Sequence, residues 1–214
     1  MTRTLSKYNI LTPSMKQSIE SDNPKMYSTE KVNQILFDAM RFAGVPLRYI
    51  VPTNDLPDPA YENAFNSVYV FGNVGTGKTY YICNLIKHCL FFQFRHRGIM
   101  TWDNIHFIEV PELLLNIRTC FSENQSEKEF IRKYTQYDYL FLDDLGVEKC
   151  SEWTLQTLYL IINRRYAQNK HLCITSNYSL NELSEKMDDS RITSRIKGMC
   201  RIFKTSGKDK RIHA

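Results

Sequence analysis

Eight consecutive residues, Gly72-Asn73-Val74-Gly75-Thr76-Gly77-Lys78-Thr79, follow the pattern G-x-x-x-x-G-K-[ST]. Residue types in this order can hold a chain of phosphates. Successive backbone N–H groups turn inward around the anion, and glycine leaves room for the phosphate oxygens to approach. The lysine ammonium reaches the outer phosphates, and the threonine hydroxyl is an oxygen ligand for Mg²⁺. Tyr80 follows directly and is grouped with the nucleotide-binding residues. About 65 residues further on, Tyr139-Leu140-Phe141-Leu142-Asp143-Asp144 places two acids after four apolar residues. Asp143 is expected to hold Mg²⁺ through water, and Asp144 to orient or deprotonate an attacking water. Read without the loop, the same pair could cap a turn. Thr175-Ser176-Asn177 ends a further apolar run. Asn177 can hydrogen-bond a γ-phosphate or the attacking water, or can be a turn residue ahead of the next helix. Together the three clusters predict an ATP site with Mg²⁺. The second acidic strand end favours hydrolysis over phosphate transfer to a small metabolite.

Such a site needs strands that end together and a helix behind the loop. Ser67–Phe71 is β-branched and aromatic, and an apolar helix over Lys78–Phe92 follows the glycines. The helix N-terminus adds partial positive charge where phosphate would sit. His106–Val110 reads as a strand, with Pro111 suited to start a helix over Glu112–Cys120. A short helix is expected within Phe121–Tyr137, then a strand over Tyr139–Leu142 and a helix over Ser151–Gln168. In that helix Trp153, Leu155, Leu158, Ile161, Ile162 and Tyr166 are expected to point inward. His171–Ile174 is the next strand, and Ser179 with Glu182 forms a capping box. A basic helix over Ser190–Lys197 leads to a last strand, Cys200–Lys204. Strands alternating with helices imply an α/β fold with a five-stranded parallel sheet covered on both faces.

The first sixty residues are a different kind of chain, holding six of the seven prolines. Residues 1–27 are polar and aperiodic and read as a flexible arm. Residues 28–63 comprise a helix and a proline-rich connector: Ser28 or Thr29 starts the helix, Val32, Ile35, Leu36, Ala39, Met40 and Ala43 line its apolar face, and Gly44 and Pro46 stop it. Residues 64–214 form the core domain. No apolar run approaches the roughly 18 residues of a membrane span, and no signal peptide is visible. The six cysteines are dispersed without a C-x-x-C pair, so neither a zinc site nor a disulfide framework is expected, and a reducing cytoplasm suits the chain. The formal net charge of +5 is unevenly placed: residues 191–211 hold eight basic side chains against the single acid Asp209, and the remainder is slightly acidic.

Taken in order, Phe71–Thr79, Leu142-Asp-Asp-Leu-Gly146 with Glu148 and Trp153, Thr175-Ser-Asn177 and Arg191-Ile-Thr-Ser-Arg195 resemble the motifs of AAA+ ATPases. More narrowly they resemble the DnaC-type helicase loaders and the IstB-type transposition ATPases. Ala43-Gly-Val-Pro-Leu-Arg-Tyr49 and His106-Phe-Ile-Glu-Val-Pro-Glu-Leu-Leu114 are similar to the segments before and within that core, so the likeness spans about residues 40–212. It implies a three-layer P-loop fold; a short N-terminal arm and a reduced or absent C-terminal lid are expected here as departures from that family. It also implies that Asn177 is a first sensor, that Arg195 is an arginine finger acting in trans on a neighbour's ATP, and that Arg211 senses nucleotide. At i, i+4 spacing, Arg191 and Arg195 could equally form a solvated basic helix face.

The implied partners are a replicative helicase or, for a transposition helper, a transposase, with a homo-oligomeric ring or spiral assembled on single-stranded or duplex DNA. Arg118, Lys128, Arg132, Lys133 and the basic terminal segment are candidates for phosphate contact, or else exposed helix faces and subunit interfaces. A nucleotide-gated assembly module with negligible turnover is the reading from another class.

Overall fold

The computed structural model describes residues 28–50, 66–97, 102–119, 126–207 and 209. The connector expected as extended chain over Leu47–Asn63 begins with a single helical turn, Leu47–Tyr49, and its remainder from residue 51, the arm over 1–27 and Arg211 lie outside the described residues.

Five strands, β1 (Val68–Phe71), β2 (Ile105–Glu109), β3 (Tyr139–Leu145), β4 (His171–Ser176) and β5 (Arg201–Lys204), pair throughout in parallel, in the order β2-β3-β4-β1-β5. Seven helices accompany them among the described residues: α1 (Thr29–Phe42), α2 (Lys78–Arg97), α3 (Val110–Thr119), α4 (Glu127–Gln136), α5 (Glu152–Ala167), α6 (Leu180–Met187) and α7 (Ser190–Met199). Parallel neighbours need crossovers, and crossover helices bury both sheet faces, so the strands carry apolar residues on both sides. One face packs against α1 and α2 through Val68, Val70, Phe107 and Phe141. The other packs against α3 to α7 through Tyr69, Leu140, Leu142, Leu172 and Ile174. The expected α/β fold with its five parallel strands is the observed one.

Helix α1 forms as its pattern predicts. The Ser28 hydroxyl accepts the Lys31 N–H at the N-terminus, and Val32, Leu36, Ala39 and Met40 are buried, with Ile35 packed beside them. Val32, Leu36 and Met40 each contribute about 1.5–3 kcal/mol on burial. Gly44 ends the helix at φ +91°, where an added Cβ would press on the Phe107 carbonyl, and Ala43 O accepts the Phe107 N–H at 2.7 Å. The helix is thereby tied to the β2 edge strand.

Three expectations about element limits are corrected. β3 runs through both acids to Leu145, and β4 continues to Ser176, because ladder pairing uses backbone groups and ignores side-chain polarity. Val110 belongs to α3 rather than to β2, one residue ahead of Pro111. Tyr166, expected inward, is 43% exposed, while its neighbour Arg165 is fully buried.

That arginine is a staple. Its Nη1 donates to the carbonyls of Tyr134 and Tyr137 at 3.0 and 2.9 Å, and its Nη2 to those of Asp138 and His171. It gathers the end of α4 and the starts of β3 and β4, and burial pushes its pKa down to about 10. Replacing Arg165 by methionine removes the side-chain donor shared by these four carbonyls, of which Asp138 O keeps the His171 N–H. The expected loss, about 1–3 kcal/mol, would appear as a lower urea midpoint at unchanged m-value.

Candidate functional site

Loop 72–77 leaves the C-terminal end of β1, and α2 begins at Lys78. β4 is the neighbour of β1, and β3 the next strand over, so Asn177 and the acid pair emerge beside the loop. Ligands of open parallel sheets bind in this position, outside the carboxyl ends of the strands.

Lys78, 6% exposed, turns back over its own loop. Its Nζ donates to Gly72 O and Asn73 O, both at 2.9 Å, and to Asn177 Oδ1 at 2.8 Å. Thr79 Oγ1 lies 3.1 and 3.0 Å from the two Asp143 carboxylate oxygens. The structure thus brings Lys78, Thr79, Asp143 and Asn177 into one hydrogen-bonded group. Thr76 shares a hydrogen bond with Thr205 at 2.7 Å and donates to Asn73 O, while Val74 and Tyr80 are exposed on the loop and on α2. Gly75 sits at φ +78°, and a Cβ there would overlap the carboxylate of Asp209. The loop therefore already accommodates an anionic group at the glycine expected to receive phosphate.

Asp143 is 2% exposed, and its pKa is pushed up to about 6. Burial is the largest cause, with the nearby charges of Asp144 and Glu109 adding to it and hydrogen bonds from Thr175 and Thr79 opposing it. Glu109 is the direct β2 partner of Asp143 in the ladder. Asp144 has the left-handed backbone conformation, φ +59°, which costs a non-glycine residue about 1–3 kcal/mol unless its surroundings enforce it. Gly146 follows, and its N–H donates to the Glu148 carboxylate at 3.0–3.2 Å. Burial pushes the Glu148 pKa up.

A hydroxyl and one buried carboxylate are hard oxygen donors. They suit Mg²⁺, which keeps several waters and completes its shell with phosphate oxygens rather than with an all-protein cage. Among the described residues no cluster of three or more His, Cys, Asp or Glu could hold a metal without such help.

Arg195 is placed elsewhere. It is half-buried on α7, where its Nε donates to Asn163 Oδ1 of α5 at 3.1 Å and its guanidinium lies 6.0 and 5.7 Å from the Tyr159 and Tyr166 ring centres. None of these partners belongs to the phosphate loop. Arg191 differs, for it forms a multi-bond pair with Asp189, Nη2 to Oδ2 at 2.7 Å. Arg118, among the candidates for nucleic acid, stacks over Trp153 at 4.7 Å. Thr175 and Glu109 were missed as site residues. Ladder register reveals their places, since the segments that contain them, His106–Leu114 and Thr175–Asn177, do not by themselves mark either residue as part of the site.

The family model described as the bacterial DnaA ATPase domain matches residues 54–201, well over half of the chain. The chain belongs to this DnaA ATPase-domain family. An uncharacterized protein of Bacillus subtilis (strain 168), YqaM, is 27% identical over 151 residues, 64% of this chain and 42% of that protein. The chromosomal replication initiator protein DnaA of Onion yellows phytoplasma (strain OY-M) is 29% identical over 131 residues, 61% of this chain and 24% of the initiator. The chain thus spans less than half the length of the curated relatives it matches. Among solved structures, the DnaC helicase loader superposes with a TM-score of 0.54 at 21% identity, over 86% of this chain and 96% of that one. This likeness shows the AAA+ fold. In this DnaA-family chain no helix among the described residues is long and apolar enough to cross a membrane.

Proposed function

We propose that the chain is a Mg²⁺-dependent, assembly-dependent ATPase of DNA replication that loads or positions a replicative helicase. The observation that carries the ATPase part is the convergence of Lys78 on Asn177 and of Thr79 on Asp143, which joins the phosphate loop to both neighbouring strand ends. Transfer of the γ-phosphoryl group of ATP to water, with cleavage of the β–γ anhydride bond, drives the cycle, and bound Mg²⁺ would neutralise charge on the phosphates. The loop N–H groups and Lys78 bind and orient the phosphates. Thr79, and Asp143 through water, would hold the ion, and the raised proton affinity of Asp143 would set the cation in competition with a proton there. Asp144 orients or deprotonates the attacking water, and Asn177 hydrogen-bonds that water or the γ-phosphate. Arg195 completes the site of a neighbouring copy, and Arg211 senses the nucleotide. Residues 1–27 serve as a partner-binding arm, 28–63 as helix and connector, and 64–214 as the ATPase core.

Family membership supports a replication role, and the likeness to a helicase loader along most of its length supports helicase as the partner. The basic residues of 191–211 and of α3 and α4 support contact with DNA through phosphates. The test is a pull-down of the host replicative helicase by the full chain and by a chain lacking residues 1–27, with and without ATP. Nucleotide-dependent capture by the full chain, reduced on deletion, is the expected result. Capture of a transposase in its place would establish the transposition-helper reading, and capture of neither would overturn both.

A further inference from the structure

The ladder between β3 and β4 slips at the acid pair. Leu142 pairs with Ile174 and Leu145 with Ser176, so Thr175 alone faces both Asp143 and Asp144 across a β-bulge. Thr175 is fully buried. Its hydroxyl donates to Asp143 Oδ1 and accepts the Asp144 N–H at 2.9 Å, a bond that stands in for the backbone pairing interrupted by the bulge. Ser176 secures the other side of the bulge, its Oγ donating to Leu145 O at 2.6 Å. One hydroxyl therefore touches both residues of the pair, and one of these bonds bears on the left-handed backbone of Asp144.

We infer that Thr175 is the positioning residue of the acid pair. Its hydroxyl aims the Asp143 carboxylate at Thr79 and holds Asp144 in its left-handed backbone conformation. The bond from Thr175 engages one Asp143 oxygen, while Thr79 stands within 3.1 Å of both, so the carboxylate cannot rotate without breaking a hydrogen bond. Valine fills the same space without the hydroxyl, and serine keeps the hydroxyl without the methyl. The inference rests on the proposed roles of Asp143 and Asp144.

The experiment compares Thr175→Val with Thr175→Ser in the full chain by three readouts. Turnover of Thr175→Val should fall about 10- to 100-fold, as expected for misplaced catalytic groups, with KM for ATP changed far less. The Mg²⁺ concentration that half-saturates binding of a fluorescent ATP analogue should rise, and hydrogen exchange at the Asp144 amide should accelerate in the nucleotide-free chain. Thr175→Ser should track wild type in all three. A folded Thr175→Val with wild-type Mg²⁺ half-saturation and Asp144 exchange overturns the inference, as does a Thr175→Ser as impaired as Thr175→Val. If Thr175→Val does not fold, Thr175→Ala against Thr175→Ser gives the same contrast. A wild-type chain that binds nucleotide without hydrolysing it would refute the hydrolysis reading, while Mg²⁺ half-saturation and amide exchange would still decide the role of Thr175.

Discussion

Replacing Lys78 by alanine is expected to abolish measurable ATP hydrolysis and to weaken nucleotide binding by at least tenfold. The ammonium is held by three oxygen acceptors, Gly72 O, Asn73 O and Asn177 Oδ1, and is 6% exposed. Phosphate oxygens entering the loop would exchange neutral carbonyl partners for charged ones, a net gain for an ammonium already desolvated. A hydrogen bond to a charged group contributes about 1.5–3 kcal/mol, or about 10- to 150-fold in affinity. Turnover suffers more, because charge develops on the transferring phosphoryl group, and loss of one preorganised donor typically costs about 10²–10³ in rate. Calorimetric titration with ATP and a phosphate-release assay read the two effects separately. A thermal midpoint near wild type would separate loss of the site from loss of the fold. Intact binding and turnover in Lys78→Ala would show that the site assignment is wrong.

The loop was legible because its chemistry is local. Three glycines, a lysine and a threonine in eight residues are required by one short backbone path, and the strand before and the helix behind it announce themselves by composition. The caps at Ser28 and Ser179 were legible for the same reason, since each bonds to a residue three positions away. The features missed all depend on distant segments. Hydrophobic patterning ends β3 at Leu142, yet backbone pairing with β2 and β4 carries the strand through Asp143, whose ladder partner Glu109 is 34 positions earlier. The left-handed turn at Asp144 arises from a bulge against β4, which local propensity does not encode. Arg165 reads as the polar face of a helix, yet the four carbonyls that bury it come from α4, β3 and β4, and they converge only after the sheet forms. The same helix turn then leaves Tyr166 facing out, available to Arg195.

That exposed aromatic surface bears on the second large effect. Arg195→Ala is expected to lower turnover about 10³- to 10⁵-fold, the range attributed to an arginine finger, while ATP affinity stays close to wild type. The structure separates Arg195 from Arg191, although the two lie on one helix face. Arg191 is neutralised by Asp189, whereas Arg195 forms no ion pair among the described residues and is steadied by a neutral amide and two tyrosine faces. A guanidinium held this way keeps its charge for a third party and loses little side-chain freedom in meeting one. Since its own partners lie on α5 and not in the loop, a head-to-tail neighbour is the natural recipient. Mixing tests this directly. Subunits carrying Arg195→Ala retain a site without a finger, and those carrying Asp144→Asn retain a finger without a site. In a heterologous assembly of equal amounts, about one interface in four joins an intact site to an intact finger, so roughly a quarter of wild-type turnover should return. A finger acting within its own chain would restore none, since every subunit then carries a lesion. Arg191→Ala serves as the control: it removes an exposed ion pair of little energetic weight and should hydrolyse ATP as the wild type does.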